Sequence, residues 1–329
     1  MRAWRVHELG EPDAVMRLED AAPPQAGPGQ VAIDVEAAAL NFPDVLLCRG
    51  EYQERPPLPF TPGVEVAGTV VAVGPGVTGL APGERVLASP AFGPGGLCEQ
   101  TTASAQATYP VPDGMSFESA AALQVTYQTG WVGLHTRAHI GPGETLLVHA
   151  GAGGVGSAAI QLGVAAGARV LATAGGPEKV RVCKELGAEL AIDYTAEDFV
   201  DAVKDATGGE GADVIYDPVG GEVFARSTKC IAFEGRLLAI GFTSGRIPEL
   251  RVNHVLIKNY SVIGLHWGLY NLKRPDLPRR VHAELVDLWS AGRIDPLVSA
   301  VVPMEDAAAA VAALGSRHTV GKVVVRTRP

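Results

Sequence analysis

The stretch Gly151-Ala152-Gly153-Gly154-Val155-Gly156 places glycines at the G-x-G-x-x-G spacing, at Gly151, Gly153 and Gly156. Alone the pattern is weak, because a Gly-rich turn with no ligand reads the same way. Here it follows an apolar run, Thr145 to Ala150, and opens a helix-compatible run from Val155 to Ala166. In that setting the backbone N–H groups at the helix start can cradle a pyrophosphate, so the turn predicts a dinucleotide site. Which dinucleotide depends on the end of the next strand, where an NAD site places Asp or Glu against the ribose hydroxyls. This chain has Thr173-Ala174-Gly175-Gly176 there, with no carboxylate. Lys179 follows within reach of a 2′-phosphate, and Tyr194 could donate a second bond from its hydroxyl. Singly, Lys179 reads equally well as a solvated helix residue and Tyr194 as a rim aromatic. Together with the missing acid they favour NADPH.

The elements that must position this turn alternate. Strands are expected at Thr145 to Ala150, Ala168 to Thr173, Leu190 to Asp193, Ala212 to Tyr216 and Gly235 to Ile240. Helices are expected between them at Val155 to Ala166, Pro177 to Leu186, Ala196 to Thr207 and Gly221 to Phe233. Five strands alternating with helices specify a parallel sheet covered on both faces. The first 120 residues differ, with short strands at Gln30 to Val35, Gly63 to Val73 and Glu84 to Ala88 among frequent Gly/Pro turns. Phe117 to His139 suits helices, as does Pro278 to Ala291; Met304 to Leu314 is Ala-rich, and Gly321 to Val325 closes the chain as a strand. The expected organisation is an α/β domain over 123–261 inserted between β-rich pieces at 1–122 and 262–329.

At 329 residues the chain is long enough for two domains of roughly 150 residues each. Gly and Pro together, 40 and 24, are about a fifth of it, which is turn-rich but short of the disordered range of roughly a quarter or more. The net charge of −9 and the lack of a basic run make nucleic acid a poor partner. Cys48, Cys98, Cys183 and Cys230 form no C-x-x-C pair and read as reduced thiols. The charged start Met1-Arg2-Ala3-Trp4-Arg5 is unlike a signal peptide, and no run of eighteen apolar residues occurs, so a cytoplasmic protein without membrane association is expected.

Several stretches resemble one family in order. Asn41-Phe42-Pro43-Asp44, Arg49-Gly50-Glu51-Tyr52, Pro62-Gly63-Val64-Glu65-Val66-Ala67-Gly68 and Gly74-Pro75-Gly76-Val77 resemble the N-terminal domain of medium-chain dehydrogenases/reductases, in the zinc-free NADPH:quinone oxidoreductase, or zeta-crystallin-like, branch. Val125-Thr126-Tyr127-Gln128-Thr129, the Gly151 turn, Asp217-Pro218-Val219-Gly220-Gly221, Ile240-Gly241-Phe242 and Gly264-Leu265-His266-Trp267-Gly268 continue the likeness. It implies an α/β protein with a GroES-like β-rich catalytic domain, a Rossmann doubly wound parallel-sheet domain, and an active site in the cleft between them. Zinc-containing members carry G-H-E where this chain has Gly63-Val64-Glu65, and a ligand Cys where it has Asn41. Val64 cannot ligate a metal, and the four clustered cysteines of a structural zinc lobe are reduced to Cys98, so no metal is expected.

The resemblance further implies Thr129, Gly153, Gly154, Val155, Lys179, Tyr194, Gly241 and Phe242 on the cofactor, beside Gly151 and Gly156 of the motif. Asn41, Asp44, Tyr52 and Tyr127 fall on the substrate side. Asn41 also reads as a turn cap, Asp44 as a helix-start carboxylate, and the two tyrosines as packing aromatics. The expected reaction passes hydride from NADPH to a quinone, with donors from Asn41, Tyr52 and Tyr127 on the developing oxyanion and a lesser role for Asp44. One alternative is reduction of conjugated enones or enoyl thioesters, for which Arg55, Lys273, Arg274, Arg279 and Arg280 could meet phosphates. Another is an NADPH-binding structural or regulatory protein. His7, His135, His139, His254, His282 and His318 show no triad or metal spacing, and His149 reads as a packed strand residue. Trp267 reads either as a wall of the nicotinamide site or as a core or interface aromatic. The likeness also implies a homodimer through the sheet's last strand, taken as Gly235 to Ile240.

Overall fold

The computed structural model describes residues 1–316 and 319–328, so His318 lies outside the described residues. The chain forms two compact units, one of residues 1–125, 271–286 and 296–329, the other of 126–270 and 287–295.

In the first unit β1 (Arg2–Val6) pairs antiparallel with β2 (Met16–Asp20) across the short helix α1 (Pro12–Val15). A six-stranded sheet follows from β3 (Gln30–Ala39), β4 (Val66–Val73), β5 (Arg85–Pro90), β6 (Gln100–Pro110), β13 (Val298–Pro303) and β14 (Lys322–Arg326), in the order β13-β14-β3-β4-β5-β6. Because β3 also pairs with β6, four strands close into a ring. The alternation after Gln30 sends Val31, Ile33 and Val35 into its core, against Val70, Val86 and Ala103. Helix α2 (Phe42–Arg49) leaves the end of β3 and packs Val45, Leu47 and Cys48 on that core; α11 (Ala307–Leu314) adds Ala307 and Val311. Helix α3 (Phe117–Trp131) comes next in the chain and loosens into a π-turn at Val132–Arg137.

The second unit is the doubly wound part. Strands β7 (Thr145–Val148), β8 (Arg169–Ala174), β9 (Leu190–Asp193), β10 (Ala212–Asp217), β11 (Ile231–Ala239) and β12 (Ser261–Gly264) are all parallel, in the order β12-β11-β10-β7-β8-β9. The order reverses between β7 and β10, and ligands of such sheets bind beyond the strand ends at that switch point. Helices α4 (Gly154–Ala165), α5 (Pro177–Glu185), α6 (Phe199–Ala206), α7 (Gly221–Ser227) and α8 (Val252–Lys258) connect the strands. Helix α9 (Gly268–Lys273) and α10 (Asp276–Ser290) follow β12. No helix among the described residues is long and apolar enough to cross a membrane.

Two expectations need correction. The helix expected to reach Phe233 ends at Ser227, because Ile231 already pairs in parallel with Ala212 and Phe233 lies within β11. The strand near Gly235 to Ile240 is not the sheet's edge: Arg236 to Ala239 pair with Ser261 to Gly264, which makes β12 the outer strand.

Candidate functional site

The Gly-rich turn joins β7 to α4, and its glycines answer to different demands. A Cβ on Gly151 would lie 2.8 Å from Cys183 Sγ and 3.0 Å from both Ala172 Cβ and Ile160 Cδ1; one on Gly156 would lie 2.2 Å from the Ala150 carbonyl oxygen. These two let strand, turn and helix approach closely. Gly153, the N-cap of α4, would meet only Ala150 O at 3.3 Å. Its open side is where backbone can approach a pyrophosphate, and the helix N-terminus behind it favours negative charge. His149 supports the turn from beneath. Its ring is buried, joined to Thr173 Oγ1 at 3.0 Å and Ser227 Oγ at 2.8 Å, and burial pushes its pKa down to about 3. Ser227 Oγ donates onward to Val223 O, so Nε2 carries the ring proton and Thr173 donates to Nδ1. The Thr173 carbonyl in turn accepts from Gly151 N at 2.9 Å.

At the end of β8 the chain turns through Gly175 and Gly176 into α5. The nearby carboxylate, Asp193, is turned to Gly176 N at 2.9 Å and to Thr195, whose hydroxyl bond leads the causes holding its pKa low. Tyr194 is 56% exposed, and a Cβ on Gly175 would lie 2.6 Å from its hydroxyl. Glycine at 175 lets the ring lie over the turn as it does here; a larger residue would push its hydroxyl end aside. Lys179 stands half-buried in the first turn of α5. Further along, Asp217 Oδ1 accepts from Val219 N and Gly220 N, while the Pro218 and Val219 carbonyls accept from Thr243 N and Ser244 N. Phe242 is thereby held against Gly220, where a Cβ would lie 2.7 Å from the ring.

Thr129 is buried on α3. Tyr127 is buried too; its hydroxyl donates to Asp295 O at 3.0 Å and accepts from Gln161 Nε2 at 2.8 Å. Its one proton is committed, and burial raises its pKa. Trp267 is half-buried, with an indole N–H that has no partner among the described residues.

The first unit gathers a polar cluster around the start of α2. Asp44, at the third helical position, is fully buried and accepts from Asn41 N at 2.8 Å and Gly63 N at 2.9 Å. Burial pushes its pKa up to about 6, against the pull of those two bonds and of Lys322. The Asn41 amide donates to Ala39 O at 3.0 Å and Glu65 Oε1 at 2.8 Å. Its oxygen accepts from Lys322 Nζ at 2.7 Å, and the same ammonium reaches Leu40 O and Glu65 Oε1, each at 2.7 Å. Glu65 Oε2 accepts from Val125 N at 2.8 Å. Lys322 is 4% exposed and Glu65 is fully buried, so this is a satisfied interior ion pair; removing one partner of such a pair costs about 3–5 kcal/mol. Tyr52 follows the C-terminus of α2, half-buried, with its ring tilted against Phe92 at 5.9 Å. Its hydroxyl has no partner among the described residues, and burial raises its pKa.

A family model described as zinc-binding dehydrogenase matches residues 154–285, and one described as alcohol dehydrogenase GroES-like domain matches residues 27–121. A quinone oxidoreductase-like protein 2 homolog from Nematostella vectensis is 40% identical over 330 residues, covering 99% of this chain and 89% of that protein. The chain belongs to the quinone oxidoreductase-like medium-chain dehydrogenases/reductases. A mycobacterial protein of known structure, solved with NADPH, aligns at a TM-score of 0.92 with 34% identity over 99% of this chain and all of that one. The CurK enoyl reductase aligns at 0.89 with 30% identity over 99% of each.

For a medium-chain dehydrogenase/reductase the zinc question turns on Asn41 and Val64. The Asn41 oxygen and the Glu65 carboxylate already face the Lys322 ammonium, Val64 offers no donor atom, and no cluster of three His, Cys, Asp or Glu among the described residues is arranged for a metal. These residues do not fit zinc. Of the expected substrate-side residues, Asn41 and Asp44 are brought together; Tyr52 is reached through α2, and Tyr127 belongs to the other unit. Both amide hydrogens of Asn41 are occupied, which leaves Tyr52 as the unengaged donor of the set. Glu65, Lys322, Gln161 and Asp295 were missed as partners. A lysine opening the apolar run Lys322 to Val325 reads as a solvated strand end, and its partner Glu65 lies 257 positions away.

Proposed function

We propose that this protein is an NADPH-dependent oxidoreductase that reduces quinones without a metal. The observation that carries the reading is the pairing of two features: a Gly153 face open at the α4 N-terminus, and a β8 end that carries no acid of its own and whose neighbouring Asp193 is spent on Gly176 N and Thr195, with Tyr194 packed over Gly175 and Lys179 in the first turn of α5. Gly151, Gly153, Gly154, Val155 and Gly156 would hold the pyrophosphate, Lys179 and Tyr194 the 2′-phosphate, and Thr129, Gly241 and Phe242 the remainder of the cofactor. Bound NADPH supplies a hydride. A quinone accepts it without Lewis-acid help because its ring is already electrophilic, and negative charge then develops on the acceptor oxygen. Tyr52 donates its unengaged O–H to that oxygen and is reprotonated from solvent. Asn41 and Asp44 act on the start of α2 rather than on the acceptor, and Tyr127 fastens Asp295 to α4 through Gln161.

The second reading is reduction of a conjugated enone or enoyl thioester, favoured by the likeness to the CurK enoyl reductase. Of the basic residues considered for thioester phosphates, Arg279 lies over the Tyr109 ring and Arg55 lines a small pocket with Leu9, Leu47 and Phe60. Initial rates of NADPH oxidation with a benzoquinone, a conjugated enone, and the quinone with NADH decide between the readings. The expected result is fast quinone-dependent oxidation selective for NADPH. Turnover of the enone alone moves the protein to alkene reduction, and tight NADPH binding without any turnover makes it a cofactor-binding structural protein.

We also infer a homodimer through the outer strand β12. Helix α8 buries none of its residues, leaving Val252, Leu256 and Ile257 72%, 75% and 69% exposed, with Phe233 and Ile247 also bare. An unpaired edge beside such a surface is an association site. Light scattering at micromolar concentration should give twice the chain mass, and Leu256→Glu should lower it; a wild-type monomer contradicts the inference.

A further inference from the structure

The buried pair Lys322–Glu65 has no part in the reaction just described, yet it is built with unusual completeness. All three N–H bonds of the ammonium are used, on Leu40 O, Asn41 Oδ1 and Glu65 Oε1. Both carboxylate oxygens are used as well, Oε1 by Lys322 and Asn41 and Oε2 by Val125 N. A charge pair in the interior is a poor device for stability alone, since an apolar pair of similar volume often serves as well or better. What this pair does is directional. A planar amide can flip by half a turn, exchanging oxygen for nitrogen; here Nζ demands the oxygen while Ala39 O and Glu65 Oε1 demand the two N–H groups, so a single orientation survives.

Asn41 is the N-cap of α2, and its backbone N–H is held by Asp44, which also takes Gly63 N. The start of α2 is thus tied to β3, β14 and the Gly63 turn at once. The helix has eight residues and ends in a left-handed Gly50, with Glu51 N returning to Leu46 O. Tyr52 comes two residues past that cap. An eight-residue helix is a short rigid lever, and the orientation of its first turn is transmitted to whatever follows its last.

We propose that Lys322, paired with Glu65, is a positioning residue for turnover: it fixes the Asn41 end of α2 and thereby aims the Tyr52 hydroxyl beyond the other end. The proposal rests on the reading of Tyr52 as the donor to the acceptor oxygen. It predicts coupling, because a residue that acts through Tyr52 has nothing left to do once the hydroxyl is gone. Misplacing a catalytic group by about 1 Å costs on the order of a hundredfold in rate.

The test uses the full-length protein with NADPH and a benzoquinone. Lys322→Met combined with Glu65→Gln removes both charges together and avoids a lone buried ion; Lys322→Arg, which keeps both charges but changes the donor geometry on Asn41, is the second variant should the charge-free pair fold poorly. The expected result has three parts: NADPH affinity within about twofold of wild type, amide hydrogen exchange over residues 42–52 faster by about tenfold, and kcat lower by about tenfold or more. In a Tyr52→Phe background the same replacement should lower kcat by less than about twofold. Unchanged exchange over 42–52 overturns the proposal, as does an unchanged kcat or an effect that multiplies fully with that of Tyr52→Phe. If Tyr52→Phe itself leaves wild-type turnover intact, the donor reading has failed and the positioning proposal falls with it. A loss on Tyr52→Phe with no loss on the charge-free pair instead defeats the proposal alone.

Discussion

Between Gly151 and Gly156 the chain is shaped by what is missing: no side chain stands in the way, and the turn is fixed by backbone contacts to Ala150 and Thr173 over the neutral His149. Between Asn41 and Glu65 it is shaped by what is present, with a carboxylate, an amide and an ion pair all shut away from water. The first arrangement suits a ligand that brings its own charge, since helix-end N–H groups remain for the phosphate. The second has consumed its own charges and offers the outside almost nothing polar, which turns its chemistry inward to hold α2. In the proposed reading, binding and positioning fall to different physical devices, backbone in one unit and buried charge in the other.

The contrast breaks most visibly at Gly156. Gly156→Val sets a Cβ 2.2 Å from a carbonyl oxygen that cannot retreat, so NADPH titration by fluorescence should show affinity reduced by at least about a hundredfold, roughly 2.7 kcal/mol. Gly153→Ala, whose Cβ would meet only Ala150 O at 3.3 Å, should keep the fold and weaken the cofactor alone. Equal effects from the two would erase the distinction drawn among the glycines.

In the charged region the sharpest probe is pH. Asp44 has a folded value of about 6 against 3.8 for the free carboxyl. The raised value means the folded state holds the proton more tightly, so this contribution to stability is fully present below about pH 4 and is lost as pH rises through 6. Chemical denaturation of wild type and Asp44→Asn between pH 4 and pH 7.5 should show wild type losing up to about 3 kcal/mol relative to the variant as pH rises. A pH-independent difference would mean that Asp44 titrates normally.

How much of this was legible depends on distance along the chain. The Gly151 turn, the strand before it and the helix after it are contiguous, and the period of the apolar residues makes them readable. The missing acid after β8 is equally local. The order of the sheet's edge was not readable, because Ser261–Gly264 is only four residues long and becomes a strand by pairing with Arg236 to Ala239. The Lys322 cluster is harder still, since its partners come from β14, the end of β3 and the residue before β4. A buried lysine looks like any solvated one until its acceptors are placed around it. The family resemblance put Asn41 on the substrate side; only the structure shows that both of its N–H groups are already in use.

The most direct test of the account is the steady-state rate of Tyr52→Phe with NADPH and a benzoquinone, measured beside NADPH affinity. The account predicts kcat lower by about a hundred- to a thousandfold, the range for losing one preorganised donor, with the dissociation constant for NADPH unchanged. A kcat within about twofold of wild type would contradict it, because the Tyr52 hydroxyl would then have no role in turnover.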